Sequence, residues 1–331
     1  MRVLITGVAG QDGTILAHLL ERARAEVVGL VKPGHDSGEL ERLRRYAPSL
    51  EIVECDLADC EALRDIVIDS KPDQIFNFGG ISSVVESINN PDLTHQINVG
   101  SVEAILSSMR TLKSQGTDPR LVAATSGTIF EGVDRSPQTE ETEISPNSPY
   151  AQSKAEVIRM LREARSNEGM FTTSAILYNH ESPLRGEGFV TRKITMAVAK
   201  IAAGQQEILE LGNIEVARDW GWAPDYVNAM RLMLLNAEPK DFVLATGISH
   251  RLSYFVQKAF LAGGINDWQD RILSTEVNQR KVDTNLLVGD SRAAYVELGW
   301  RHTVDFDGMA MAMVKYDIDL LNSPSAIWLP V

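Results

Sequence analysis

Three glycines at intervals of three, Gly7, Gly10 and Gly13, follow directly on the apolar run Arg2 to Thr6 in the string RVLITGVAGQDGTILAHLLERAR. The apolar run reads as a buried strand, and the apolar spacing from Thr14 onward reads as a helix. A chain that passes from strand to helix in so few residues needs glycine to turn sharply. The helix that starts there offers unpaired N–H donors and the positive end of its dipole, which together seat a phosphate. The pattern points to a βαβ unit that binds a dinucleotide, with Gly7, Gly10 and Gly13 against the pyrophosphate; glycines that serve only the turn are the competing reading.

The same alternation continues. EVVGLV (26–31), EIVEC (51–55), QIFNF (74–78) and RLVAAT (120–125) are further apolar runs, each followed by a segment long enough for a helix. This predicts an α/β fold with a Rossmann-type, doubly wound parallel sheet and a ligand crevice at the carboxyl ends of the strands. After about residue 180 the pattern changes. ESPLRGEGFVTRK and LGNIEVARDWGWAPDY are irregular and rich in Gly, Pro, Arg and Trp, and they alternate with helical segments such as YVNAMRLMLLN. The expectation is a dinucleotide-binding domain over residues 1–178, rejoined by segments near 215–250, and a smaller, loop-rich substrate-binding domain over 179–331. Residues 136–149, SPQTEETEISPNSP, read as a long loop. GMAMAMVKYDIDLL reads as a helix whose methionines pack inward.

Charge narrows the ligands. A net charge of -13 argues against a binder of nucleic-acid backbone, which needs a basic face. It leaves room for a small anion held by a few arginines and a helix N-terminus. Cys55 and Cys60 match no zinc spacing and read as reduced thiols of a cytoplasmic protein, and no metal is expected. No apolar run approaches the roughly 18 residues of a membrane span. The strand pattern begins at Arg2, which leaves no expected signal peptide.

The cofactor type turns on the end of the second strand. A carboxylate there would hold a ribose 2′-hydroxyl and repel a 2′-phosphate. GLVKPG carries Lys32 instead, which favours NADP unless Lys32 is a solvated surface charge. In ECDLAD, Asp56 either reaches the adenine amino group or caps the next helix. Further on, SPYAQSK places Tyr150 and Lys154 one helical turn apart on one face. An ammonium beside the phenol, together with an oxidised nicotinamide, would lower the tyrosine pKa toward neutrality. A phenolate so tuned takes a proton from a sugar hydroxyl as hydride leaves its carbon. Ser126, at the end of the preceding strand, completes the group.

With these motifs and with NHESPLRGEGFVTRKIT, LGNIEVARDWGWAPDYV, DFVLATG and LLVGDSRAAYVELGW, nearly the whole chain resembles the extended short-chain dehydrogenase/reductases, and within them the GDP-mannose 4,6-dehydratases. The resemblance implies NADP, with NAD as the alternative, a GDP-sugar substrate, and a homodimer or homotetramer. It implies that Ser126, Tyr150 and Lys154 form the hydride-transfer core. On the cofactor side it adds Gln11, Asp12 and Leu57. On the substrate side it assigns Ser82 and Gly212, and Asn179 to the sugar side of the pyrophosphate. Val190 and Lys193 fall near the guanine and its phosphates. Arg218 and Arg280 would clamp the diphosphate, and Asp283 is a further substrate-binding residue. An ion pair of Arg218 with Asp219 or Asp225 is the competing reading for that residue, and a solvated surface charge is the competing reading for Lys193 and Arg280.

The chain also departs from the family. A 4,6-dehydratase oxidises C4, removes the C5 proton with loss of the C6 hydroxyl, and returns hydride to C6. The family keeps a glutamate two residues after the catalytic Ser or Thr for the middle step, and here that place is Thr128. Glu131 lies three residues further; the expectation is that the segment is still strand and Glu131 faces the other way, the alternative being a turn after Phe130 that brings it back. Trp222 stands where the family has His, Leu184 where it has Arg beside Arg185, and Pro33 where it has a basic residue. The resemblance thus implies a kept GDP-sugar scaffold with an altered elimination step. A 4-epimerase or 4-keto reductase on that scaffold is the alternative, and a non-catalytic nucleotide-sugar sensor is the third reading. Glu86 and Glu187 are further candidate bases from neighbouring loops.

Overall fold

The computed structural model describes residues 1–274, 286–323 and 325–328. Its strands, in chain order, are β1 (Arg2–Thr6), β2 (Glu26–Val31), β3 (Glu51–Glu54), β4 (Gln74–Asn77), β5 (Arg120–Ser126), β6 (Thr172–Leu177), β7 (Asn179–Glu181), β8 (Leu209–Leu211), β9 (Ala217–Trp222), β10 (Phe242–Leu244), β11 (Ser249–Arg251) and β12 (Ile272–Ser274). The helices are α1 (Gln11–Arg22), α2 (Ser37–Tyr46), α3 (Cys60–Ser70), α4 (Val84–Asn89), α5 (Pro91–His95), α6 (Ser101–Ser114), α7 (Pro149–Glu168), α8 (Val190–Ala202), α9 (Ala223–Leu235), α10 (Leu252–Ala262), α11 (Arg292–Leu298) and α12 (Phe306–Asn322).

Seven strands make one parallel sheet in the order β10-β6-β5-β4-β1-β2-β3. The order reverses at β1 and β4, which opens the crevice expected of a doubly wound sheet. The strands read as unbroken apolar runs because both faces are covered. Along β1, Val3 and Ile5 face a layer with Ile15 and Leu16 of α1 and Tyr226 and Met230 of α9. Leu4, between them, faces the opposite layer with Leu63 of α3, Val102 and Ile105 of α6 and Val157 of α7. Alternation with a period of two thus splits one short strand between two cores.

The second half adds β10 to the sheet's edge and builds a third core. Ile194 and Val198 of α8, Phe255 and Phe260 of α10, and Met309 and Met313 of α12 pack together there. The methionines of α12 divide as the helix turns: Met309 and Met313 are buried and Met311 is exposed. Two small sheets flank this core, β11-β9-β7 and β12-β8.

The segment 131–148 contains no helix or strand, yet it is held at its centre. Gln138 is fully buried. Its Nε2 donates to the Arg135 and Leu286 carbonyls, while its Oε1 accepts from the Tyr178 hydroxyl at 2.7 Å and the Val288 N–H at 3.1 Å. Nearby, the Glu140 carboxylate accepts the Val243 N–H at 2.7 Å, covering a donor on the edge strand β10. Cys55 and Cys60 are free thiols, and burial with nearby Asp59 and Asp56 pushes Cys55 up to about 11. Among the described residues no helix is long and apolar enough to cross a membrane.

Candidate active site

The carboxyl ends of the parallel strands carry the site, beginning with the glycine turn after β1. Gly7 has φ +66°, and a Cβ there would lie 2.8 Å from the N and Cα of Gly79, the residue that follows β4 by two. A Cβ on Gly13 would lie 2.5 Å from the Gly7 carbonyl oxygen and from Val8 Cα. Neither position has room for a side chain, so the turn and α1 close tightly on backbone alone. Gly10 is the N-cap of α1 and supplies no side-chain cap. The first-turn N–H groups are therefore left for an anion. This cradle fits the pyrophosphate of a dinucleotide. Gly13→Ala forces a carbon into main-chain atoms. We expect it to cost about 1–3 kcal/mol and to abolish dinucleotide binding, measured by thermal melting and by titration with NADP.

Gln11 and Asp12 turn their side chains toward β7. Gln11 Nε2 donates to the His180 carbonyl at 3.1 Å and its Oε1 accepts from the Ser182 hydroxyl at 2.8 Å. Asp12 pairs with His180 Nε2 at 2.9 Å. Burial alone would raise the Asp12 carboxyl, but His180 and Arg185 outweigh it and hold it below its ordinary value. Burial pulls His180 down, and Asp12 outweighs that and raises it. What these two residues leave for a ligand is their backbone. Lys32 is exposed at the end of β2. Asp56 accepts the Ala58 N–H at 3.0 Å, while Asp59 is the residue that caps α3. Leu57 packs against Gly79 so closely that a Cβ on that glycine would strike its Cδ1.

Ser126 ends β5, and Tyr150 and Lys154 lie one turn apart at the start of α7, whose N-cap is Ser148. Tyr150 and Lys154 are each 9% exposed. The Ser126 hydroxyl is near enough to the Tyr150 phenol to work against the effect of burial on it. Lys154 Nζ donates to the Ala124 carbonyl at 3.0 Å and lies 5.7 Å from the centre of the Tyr150 ring. The three residues expected to act together therefore form one cluster. The expected lowering of the tyrosine is not produced by the polypeptide's own groups. Burial raises Tyr150, with Ser126 and the charge of Arg185 working against it and Glu131 adding to the rise.

Burial lowers Lys154 to about 8. Between that value and the ordinary 10.5 the unfolded chain binds more protons than the folded one, so the residue's contribution to stability improves as pH rises through this window. Below about 8 its buried charge is a cost. The expected result is that Lys154→Met gains most over wild type near pH 7, by up to about 3 kcal/mol, and that the gain shrinks toward pH 10. Denaturant melts of both proteins across that range measure it.

The residues after Ser126 differ from the strand expectation. Gly127–Phe130 form a 3₁₀ turn capped by Ser126. Thr128 donates through its backbone N–H at 3.3 Å and through its hydroxyl at 3.1 Å to Ser126 Oγ. Asn98 was not singled out by sequence. It lies in a π-helical turn, Gln96–Gly100, where its side chain binds both the N–H and the carbonyl of Ile81 and reaches Ser153 at 3.0 Å. A Cβ on Gly80 would lie 2.6 Å from Asn98 Oδ1. The adjacent Gly79 and Gly80 at a strand end were the available signal for this crowding. Asn98 itself had none.

On the substrate side the residues are spread more widely. Asn179 is exposed at the start of β7, beside Trp220 of β9. Val190 opens α8 and is 38% exposed. Lys193 is exposed, with Nζ on the Glu210 carbonyl at 2.8 Å, and Gly212 follows β8 directly. Arg218 is half-buried in β9 and donates to the Ala217 carbonyl. The Asp219 carboxylate binds Thr246, Gly247 and Gly289, and Asp225 binds Thr303. Ser82 is exposed ahead of α4. Arg280 and Asp283 lie outside the described residues. Of the departures, Trp222 is buried edge-on to Trp328, Leu184 joins the main core, and Arg185 pairs with Glu181 at 3.2 Å. Glu86 and Glu187 are exposed.

A family model described as GDP-mannose 4,6 dehydratase matches residues 4–313. The GDP-mannose 4,6 dehydratase of Cricetulus griseus is 35% identical, over 97% of this chain and 92% of its own. GDP-mannose 4,6 dehydratase 2 of Arabidopsis thaliana is 36% identical, over 96% and 87%. Among solved structures, UDP-glucose 4-epimerase of Thermotoga maritima with UDP-glucose has a TM-score of 0.85 at 21% identity, covering 97% of this chain and all of that one. RMD from Pseudomonas aeruginosa complexed with NADPH has a TM-score of 0.79 at 21% identity, covering 96% and 97%. At these identities the two structures speak to the fold.

Proposed function

The chain belongs to the GDP-mannose 4,6-dehydratase family, and on that premise we propose that it is a nicotinamide-dependent lyase that takes a GDP-sugar, oxidises C4 and expels water across C5 and C6. The observation that carries this is the cluster of Ser126 with the buried Tyr150 and Lys154 at the carboxyl edge of the sheet that also bears the glycine cradle. Residues 1–178 hold the dinucleotide in this reading. Gly7, Gly10 and Gly13 bracket its pyrophosphate, Asp56 and Leu57 flank the adenine, and the exposed Lys32 favours the 2′-phosphate of NADP. When bound, the nicotinamide supplies the acceptor and later the donor of hydride.

The chain's own part is proton handling and orientation. Tyr150 takes the O4 proton, Ser126 hydrogen-bonds that hydroxyl, and Lys154, with Nζ 5.7 Å from the ring centre, would favour the phenolate together with the charge of a bound oxidised nicotinamide. Residues 179–331 hold the sugar nucleotide, with Asn179, Val190, Lys193, Gly212 and Arg218 as contacts, joined by Ser82 and by Arg280 and Asp283. The same reading has the protein working in the cytoplasm as a homodimer or homotetramer. Thr128 in the family glutamate's place favours a second reading, a 4-epimerase, which needs no C5 base. The test is incubation with GDP-mannose and catalytic NADP, followed by mass. Loss of water is expected. An isomer of unchanged mass replaces the dehydratase with the epimerase, and no turnover of any GDP-sugar overturns both.

A further inference from the structure

We propose that Glu131 supplies the carboxylate that removes the C5 proton, taking over from a position where this chain has Thr128. The inference rests on the dehydratase reading above. Its basis is the turn after β5. The Glu131 N–H donates to the Thr128 carbonyl at 3.1 Å, and Glu131 closes the 3₁₀ turn with helical backbone angles, φ −59° and ψ −26°. In a 3₁₀ turn residues i and i+3 eclipse one another. Glu131 therefore stands over Thr128 on one ridge, where strand alternation would have put it on the opposite face.

That ridge lies against Ser126, whose Oγ accepts the Thr128 hydroxyl at 3.1 Å. Tyr150 is near enough for Ser126 and the charge of Glu131 both to act on its phenol. The turn is also clamped. Ser145 donates its N–H to the Ile129 carbonyl and accepts the Gly132 N–H, both at 2.8 Å, and the Val133 N–H reaches the Phe130 carbonyl at 3.0 Å. A Cβ on Gly132 would collide with Ser145 Oγ. At the other end, a Cβ on Gly127 would lie 2.9 Å from the Tyr178 ring. Glycine on both sides lets the loop and the ring close on the turn and fix the backbone that carries Glu131.

The competing acids are differently placed. Asp12 is paired with His180, Glu181 is buried against Thr191 and Arg185, and Glu86 and Glu187 are exposed on other segments. A threonine hydroxyl is a very weak base at neutral pH, whereas a carboxylate is ionised there and suited to a carbon acid made more acidic by a neighbouring ketone. Once C4 is a ketone, its hydride held by the nicotinamide, Glu131 takes the C5 proton. The electron pair of the C5–H bond forms the C5–C6 double bond, and the C6–O bond breaks. The departing oxygen takes the proton from Glu131 and leaves as water. C6 would then take back the hydride of a bound reduced nicotinamide while C5 takes a proton from solvent, so that the cofactor would end oxidised and the sugar would have lost one water.

The experiment compares wild type, Glu131→Gln and the double variant Thr128→Glu/Glu131→Gln, with NADP and GDP-mannose in deuterated water. Three readouts are followed: reduced-nicotinamide absorbance, deuterium at C5, and mass. Wild type is expected to lose water with deuterium at C5. Glu131→Gln should bind NADP as wild type does, accumulate reduced nicotinamide, take up no C5 deuterium, and eliminate water about 10²–10⁴-fold more slowly. The double variant, which moves the carboxylate one turn along the same ridge, should recover elimination by at least about tenfold. If wild type eliminates water and Glu131→Gln does so within about threefold, the role of Glu131 is overturned while the dehydratase reading stands. If wild type never eliminates water, that reading falls and Glu131 falls with it.

Discussion

Tyr150→Phe should lower turnover of a GDP-sugar by about 10³-fold or more while leaving NADP and nucleotide-sugar affinity within about threefold. The substitution removes one oxygen from a side chain that is 9% exposed and packed at the start of α7. The ring keeps its place, because the backbone N–H of Tyr150 is held by Ser87 Oγ at 3.1 Å whatever the side chain carries. What is lost is the acceptor for the O4 proton. Ser126 cannot replace it, being a hydroxyl already engaged by Thr128. Lys154 cannot reach it in its present place, with Nζ on the Ala124 carbonyl. Single-turnover reduction of NADP isolates this step from the later elimination. A variant that still reduces the cofactor at a tenth of the wild-type rate would remove Tyr150 from its assigned role.

The second large effect is on stability. Gln138→Leu keeps the volume and strips four hydrogen bonds from a site that solvent does not reach. The Tyr178 hydroxyl, the Val288 N–H and two carbonyls lose their partner at once. Each stranded group costs about 1–3 kcal/mol, and relaxation of the loop recovers part of this. We expect a net loss of about 3–5 kcal/mol, seen as a fall of roughly 5–10 °C in the melting temperature. Tyr178→Phe, which removes one donor, should cost about 1 kcal/mol. The ring of Tyr178 also lies against Gly127. Gln138→Leu should therefore loosen the turn carrying Glu131 and lower activity even below the melting range. A melting temperature within about 1 °C of wild type would show that Gln138 does not hold the loop.

The fold was legible because its signals are local. Unbroken apolar runs such as QIFNF become strands covered on both faces, and GMAMAMVKYDIDLL becomes a helix with Met309 and Met313 inside. Gly7 and Gly13 sit where a Cβ would meet main chain. Tyr150 and Lys154 share a helical face, and Ser126 ends the strand beside them. Other features were not legible. Asn98 binds Ser153 from 55 residues away, and Gln138 binds Val288 from 150 away. Neither polar residue differs in its sequence surroundings from one that faces solvent.

The turn after β5 marks the boundary between the two. Ser126 followed by glycine, threonine and isoleucine is compatible with another pair of strand residues, and then Glu131 points out of the site. The choice was made by the Ser126 hydroxyl taking the Thr128 N–H and by Ser145, from the far end of a long loop, closing on Ile129 and Gly132. Sequence alone determined the sheet, the glycine turn after β1 and the tyrosine–lysine pair on one helical face, because sterics and periodicity act over a few residues. Only the tertiary structure decided that residue 131 closes a 3₁₀ turn over Thr128, because that depends on hydrogen bonds between segments that only the folded chain brings together.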